Sequence, residues 1–281
     1  VEATGVELIG RITHGCTALE NDENEAAMAR VVASCKRYGT AKMGIQLGHA
    51  GRKASCKRPW ESKAVSDPLG DDAWQTKSAS AVAYAPGWHV PSAYTLAEIE
   101  QLKATFVAAT RRAERIGFDL IEIHGAHGYL LHQFISPLSN KRTDQYGGSR
   151  ENRIRLPLEI FAAMREVWPK HKPLGIRISA VDWVEGGLTI EDSIFFAQKL
   201  KDAGCDFIDV SSGGNDPSQK IVLGPGYQVH FAEAIRKATG MPVMAVGLIT
   251  EPEQAEAVVA NGQADMVALA RGFLDDPHWA W

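Results

Sequence analysis

The sequence predicts an α/β chain of the (β/α)8 TIM-barrel class, and three observations lead there. Strand-length apolar runs alternate with helical patterns along the chain. The strand runs are nearly continuous in apolar residues, the form taken by a parallel sheet covered by helices. The length, 281 residues, suits one barrel domain, typically about 250 residues.

The units follow in order. Residues 1–6 (VEATGV) are a short strand and residues 25–38 a helix, with Ala26, Ala29, Val32 and Ala33 on one stripe. Residues 42–47 (KMGIQL) are the next strand. A long connection through Pro59, Trp60, Trp74, Pro86 and Trp88 follows, and 51–94 is expected to be a functional lid or hairpin, because unstructured loops of that length are uncommon in compact domains. Thr95 and Glu98 are spaced as a capping box, and Leu96, Ile99, Leu102, Phe106, Ala109 and Ala113 keep helical spacing as far as Gly117. Residues 118–123 are then a strand, 153–168 a helix and 174–179 a strand. Helices at 190–203, 231–239 and 253–260 alternate with strands at 206–211, 242–246 and 265–269.

Seven strands are counted where a closed barrel needs eight, and the chain stops at Trp281, where a closing helix is expected. The expectation is a single barrel domain over 1–281, truncated at both ends, without its first strand and closing helix.

A net charge of -4 gives no basic surplus for nucleic acid or an anionic membrane. There is no membrane-length apolar run and no signal segment, so a cytoplasmic protein is expected. Cys16, Cys35, Cys56 and Cys205 are scattered without a C-x-x-C pair, which argues against a zinc ribbon or an iron–sulfur cluster.

Barrels carry their ligands at the C-terminal ends of the strands. Gln46 and Arg177 are polar residues in otherwise apolar strands, where a buried amide needs partners and a buried cation needs an anion. Gly247 and Ala270-Arg271-Gly272 follow the last two strands, where such barrels commonly hold a phosphate. Arg52 and Lys53 read as a solvated or loop-anchoring pair, and Trp60, Trp74 and Trp88 receive no role.

The segment that organises the chain is 118–153, FDLIEIHGAHGYLLHQFISPLSNKRTDQYGGSRENR. An apolar strand breaks there into polar sequence carrying His124, His127 and Tyr129. If the chain turns helically, the two imidazoles face one way and can donate to one oxygen, with a phenol beside them as acid. Loop packing, or half of a metal site, fits the same spacing.

The full string resembles the signature of the Old Yellow Enzyme family of FMN-dependent ene-reductases. A His-x-x-His pair and a Tyr two places later precede Ser136, Pro137, Asn140, Arg142, Asp144, Tyr146, Gly147, Gly148, Ser149, Asn152 and Arg153. The paired histidines are similar to the xenobiotic-reductase and thermophilic-type branch. The resemblance implies FMN as cofactor, with NADPH (or NADH) as hydride donor. It implies activated alkenes as acceptors: α,β-unsaturated carbonyl compounds, enones among them, and nitro compounds. His124 and His127 would hold the acceptor's oxygen and Tyr129 would protonate its α-carbon. Ala3 would lie against the flavin, Gln46 and Arg177 would meet its pyrimidine edge, and Gly247, Ala270 and Arg271 its phosphate. A homodimer or higher homo-oligomer is implied as well. The alternatives are a dienoyl-CoA reductase-like flavin barrel, which the cysteine spacing opposes, a metal-dependent barrel hydrolase or aldolase using His124 and His127, and a non-enzymatic barrel.

Overall fold

The computed structural model describes residues 1–62 and 66–281. Its first half contains β1 (Thr4–Gly5), α1 (Asp22–Tyr38), β2 (Gly44–Gly48), β3 (Lys77–Ser78), β4 (Ser92–Ala93), α2 (Leu96–Ile116), β5 (Leu120–Gly125) and α3 (Leu130–Ile135). There follow α4 (Arg150–Arg153), α5 (Arg155–Val167), β6 (Leu174–Ser179), α6 (Ile190–Asp202) and β7 (Phe207–Ser211). The chain continues through α7 (Val229–Thr239), β8 (Val243–Val246), α8 (Pro252–Ala260), β9 (Met266–Ala268) and α9 (Arg271–Asp275). No helix among the described residues is long and apolar enough to cross a membrane.

β1, β2, β5, β6, β7, β8 and β9 form one sheet in that order, and all its pairings are parallel. This is the strand-by-strand order of the predicted barrel. The register puts Ile176 opposite Ile208 and Ile178 opposite Val210, all fully buried. The intervening pairs, Gly175–Phe207, Arg177–Asp209 and Ser179–Ser211, share the other face. One face packs on helices, where Phe106, Phe161, Trp168 and Phe196 are buried, and the other carries polar layers.

The element boundaries have local causes. Thr95 and Glu98 cap α2 reciprocally, and Gly117 ends it at φ 93. α1 starts at Asp22, ahead of the predicted residue 25, because the Asn21 side chain accepts from the Asn24 N–H at 2.9 Å. The predicted helix over 153–168 is α5, and a single further turn, α4, precedes it. Pro157 has no N–H for the carbonyl of Arg153 and its ring crowds it, so α4 and α5 are separated at Ile154. Only Thr4 and Gly5 of the predicted first strand join the ladder as a strand, although Gln46 N still donates to Val1 O at 3.2 Å.

Within 51–94, β3 and β4 pair in parallel, and an antiparallel bridge joins Cys56 to Pro68. Arg52, Ala54, Ser55, Cys56, Thr76 and Ser78 are buried, so much of this connection is packed onto the barrel.

Candidate active site

The site grows from the register of β2, β5, β6 and β7. Gln46 stands opposite Glu122, and His124 opposite Arg177, which in turn pairs with Asp209. Side chains in register on parallel strands leave the sheet on the same side, so these five share a face. Gly48 borders His124, and a Cβ at Gly48 would lie 2.8 Å from the His124 Cβ.

The helical turn expected between His124 and His127 does not form. β5 runs on to Gly125, and His127 adopts a left-handed conformation at φ 58, followed by Gly128 at φ 72. That conformation is costly for a non-glycine residue and needs outside support. The His127 N–H donates to Ser179 Oγ at 2.9 Å, and its carbonyl accepts from Lys53 Nζ at 2.8 Å. Gly128 allows the close approach of the loop after β7, since a Cβ there would stand 2.2 Å from the Gly214 oxygen.

This strand-and-turn geometry brings the predicted trio together. The ring centroids of His124 and His127 are 5.1 Å apart, and those of His124 and Tyr129 are 4.8 Å apart, both pairs nearly perpendicular. Ala3, His49, His124 and Tyr129 line one small cavity, with Gly48 and Ala50 between them. His127 is not on that wall and instead places Nε2 at 2.7 Å from Ser211 Oγ.

Electrostatics keep the trio in defined protonation states. Burial, with the charges of Arg177 and Lys53, holds the His124 imidazole down at about 3. Burial, His124 and the same two cations hold His127 well below its ordinary value. Both rings are therefore neutral at pH 7. His124 Nδ1 accepts from the Ala126 N–H at 3.2 Å, which leaves the ring proton on Nε2. Burial raises the Tyr129 phenol well above its ordinary range, so it keeps its proton.

Gln46 Nε2 donates to Glu122 Oε1 at 2.5 Å, and Arg177 Nε lies 3.2 Å from Asp209 Oδ2. At the far end of the sheet Gly247 has φ 119, and a Cβ there would meet Gln228 Nε2 at 2.6 Å. Ala270 caps α9, and Arg271 is exposed without a hydrogen bond or ion pair among the described residues. Burial raises the Tyr227 phenol, and the charges of both Arg177 and Arg271 act on it in the opposite direction. The sequence-predicted residues thus fall into an acceptor end around His124 and an anion-ready end around Arg271.

Several partners escaped the sequence reading. Lys53 is half-buried with its ammonium enclosed, not solvated. It donates to His127 O and Gly214 O at 2.8 and 2.9 Å, lies over the Tyr84 and Tyr129 rings, and is pushed down by burial to about 8. Arg52 anchors the loops by donating to Val82, Ala83 and Asn215 carbonyls. Ser211 and Ser212 bond Gln228, and Glu122 and Asp209 complete the polar layer. A charge inside an apolar strand, the same kind of signal that marked Gln46 and Arg177, was available for Glu122 and Asp209.

The long signature after Tyr129 is mostly a clasp. Asn140 Nδ2 donates to the Phe134 and Tyr146 carbonyls, Arg142 to those of Ala79 and Tyr94, and Arg153 to Ile135 O. Asp182 is turned to His132 and Ser136, away from the trio. Among the described residues no three His, Cys, Asp or Glu side chains are grouped to hold a metal.

The sequence profile of the NADH:flavin oxidoreductase / NADH oxidase family matches residues 1–281. An NADPH dehydrogenase of Geobacillus sp. (strain WCH70) is 44% identical over 281 residues, covering 100% of this chain and 77% of that protein. Among solved structures, morphinone reductase superposes with a TM-score of 0.81 at 26% identity, over 99% of this chain and 74% of its own. The Old Yellow Enzyme homologue from Zymomonas mobilis superposes with a TM-score of 0.79 at 26% identity, over 98% and 76%.

Proposed function

We infer that this chain, which belongs to the NADH:flavin oxidoreductase / NADH oxidase family, reduces the activated C=C bond of enones and related nitro compounds. At the level of the family it is an FMN-dependent NAD(P)H oxidoreductase of the Old Yellow Enzyme type on a (β/α)8 barrel.

The residues present fit FMN. Gly247 at φ 119 brings bare backbone to the strand end, where a Cβ would collide with Gln228, and Arg271 is a guanidinium with no protein partner among the described residues. Gln46 and Arg177 would hold the polar edge of the ring, with Ala3 beside it, and Gly247, Ala270 and Arg271 would hold the phosphate. Bound FMN supplies the two-electron chemistry, accepting hydride from NAD(P)H and giving it to the alkene.

The protein's own part is orientation and proton placement. His124 presents its Nε2–H, and His127 lies one ring away with its Nε2 bonded to Ser211, so a carbonyl or nitro oxygen that accepts from both would take its second hydrogen bond from His127 Nδ1–H. Neutral donors suit that task at pH 7, since they polarise the oxygen without surrendering a proton to it. Tyr129 retains its phenolic proton and stands beside His124, where it can deliver that proton to carbon.

The observation that carries this reading is the convergence of two imidazoles and a phenol, with the His127 and Tyr129 ring centroids 5.1 and 4.8 Å from that of His124. Replacing His124 or His127 by Ala should weaken binding of a phenol or cyclohexenone, followed by flavin absorbance, roughly 3- to 10-fold for each lost hydrogen bond. Unchanged titrations in both variants would overturn the paired-donor role. The same reading predicts a yellow protein.

A further inference from the structure

We propose that Glu122 and Asp209 share a proton beneath Arg177, and that this carboxylate pair sets how much positive charge Arg177 presents to the cofactor. The proposal rests on the flavin reading above and deepens it.

Asp209 is 3% exposed, and its Oδ2 faces Arg177 Nε at 3.2 Å. Its other oxygen, Oδ1, is buried and meets no N–H or O–H donor among the described residues. The group within hydrogen-bonding reach is the Glu122 carboxyl on the neighbouring layer of β5. Two ionised carboxylates offer only acceptors and repel each other, whereas a single proton between them satisfies the orphaned oxygen and removes one charge. Gln46 Nε2, at 2.5 Å from Glu122 Oε1, fixes the far side of that carboxyl.

The surroundings favour the protonated pair. Burial and the nearby Glu122 push Asp209 up to about 7 against the pull of Arg177, and burial raises Glu122. The other groups that face this layer are few. Arg177 stands across it on β6, and the Tyr227 phenol is near enough to Arg177 to feel its charge. His124 and His127 lie one layer above and are neutral.

The charge count gives the consequence. With one shared proton the Glu122–Asp209–Arg177 cluster is neutral, and with none it carries one negative charge. Negative charge arriving beside Arg177, as when the bound ring is reduced to its anion, raises the proton affinity of the pair. Near pH 7, where only part of the population holds the shared proton, that fraction then rises, so up to one further proton from solvent joins the carboxylates as the two electrons arrive, besides the one taken by the ring itself.

Two measurements on the whole protein test this. Infrared spectra at neutral pH should show a protonated-carboxyl C=O band that shifts in D2O and is lost in Glu122→Gln and in Asp209→Asn. The pH dependence of the flavin midpoint potential should correspond to more than one proton per electron pair near pH 7 in the wild type, and to one in either variant. Absence of the band, or a wild-type slope of one proton per pair, would overturn the proposal. Failure to take up FMN would instead overturn the flavin reading, and the infrared band can be read independently of it.

Discussion

Replacing His124 by Gln should flatten the acid side of the stability curve. The imidazole is 4% exposed and held at about 3, against an ordinary 6.5, by burial and then by Arg177 and Lys53. Below pH 6.5 the unfolded chain takes up a proton that the folded chain refuses. The unfolded state then binds more protons, so stability is full above pH 6.5 and falls as pH drops toward 3. Each unit of difference is worth about 1.4 kcal/mol, and because the first half-unit below 6.5 counts only in part, the loss between pH 6.5 and about pH 4.5 is about 2 kcal/mol. His127 adds a loss of the same sign, which is common to both proteins. Urea unfolding of wild type and His124→Gln at about pH 6.5, 5.5 and 4.5 measures the gap directly. The variant should gain on the wild type by about 2 kcal/mol over that range. Parallel curves would mean that the imidazole is solvated or already charged, and the argument for a neutral donor would fail with it.

Three further outcomes are expected. Gly128→Ala places a methyl 2.2 Å from Gly214 O at φ 72; left-handed strain alone costs about 1–2 kcal/mol, and thermal melting should show a loss of several degrees together with weaker phenol binding. Lys53→Met removes the donor from the His127 and Gly214 carbonyls. Because Lys53 is folded at about 8 against 10.5, the unfolded state binds more protons between those values. Wild-type stability should therefore climb relative to Lys53→Met across that window, by about 1.4 kcal/mol per pH unit, in pH-dependent urea titrations. Arg271→Ala should weaken FMN binding roughly 10- to 100-fold, the value of a charge-assisted contact, in fluorescence titrations of the flavin, with only partial recovery in Arg271→Lys because ammonium lacks the planar fork.

What the sequence disclosed follows from how locally each feature is encoded. Strand–helix alternation is a pattern within about 10–15 residues, so most elements lie within about three residues of their expected ends. α2 is the clearest case, because its capping box and its glycine stop are each local to one helix end. α4 shows the limit of reading apolar spacing alone, since its single turn, Arg150–Arg153, holds no apolar residue to mark it. His124, His127 and Tyr129 were legible because one short stretch of chain holds them all. The manner of their convergence was not, because the left-handed turn at His127 depends on Ser179 and Lys53, which are 52 and 74 residues away.

The polar layer of the barrel makes the same point more sharply. A charged or amide residue in an apolar strand has to find a partner, and that rule marked Gln46 and Arg177. Applied evenly, it marks Glu122 in LIEIHG and Asp209 in FIDVS as well. These are the partners the first two required, since register joins Gln46 to Glu122 and Arg177 to Asp209. One cation against two carboxylates is an imbalance that can be counted from sequence once the four are placed in two successive layers of one face. Their placement follows from strict parallel pairing, because each strand's alternation then fixes which residues face inward. Buried polar residues in consecutive barrel strands are therefore best read as one set whose charges must close. A set that does not close, as with Glu122, Asp209 and Arg177, points from residue order alone to a bound proton or a bound ligand.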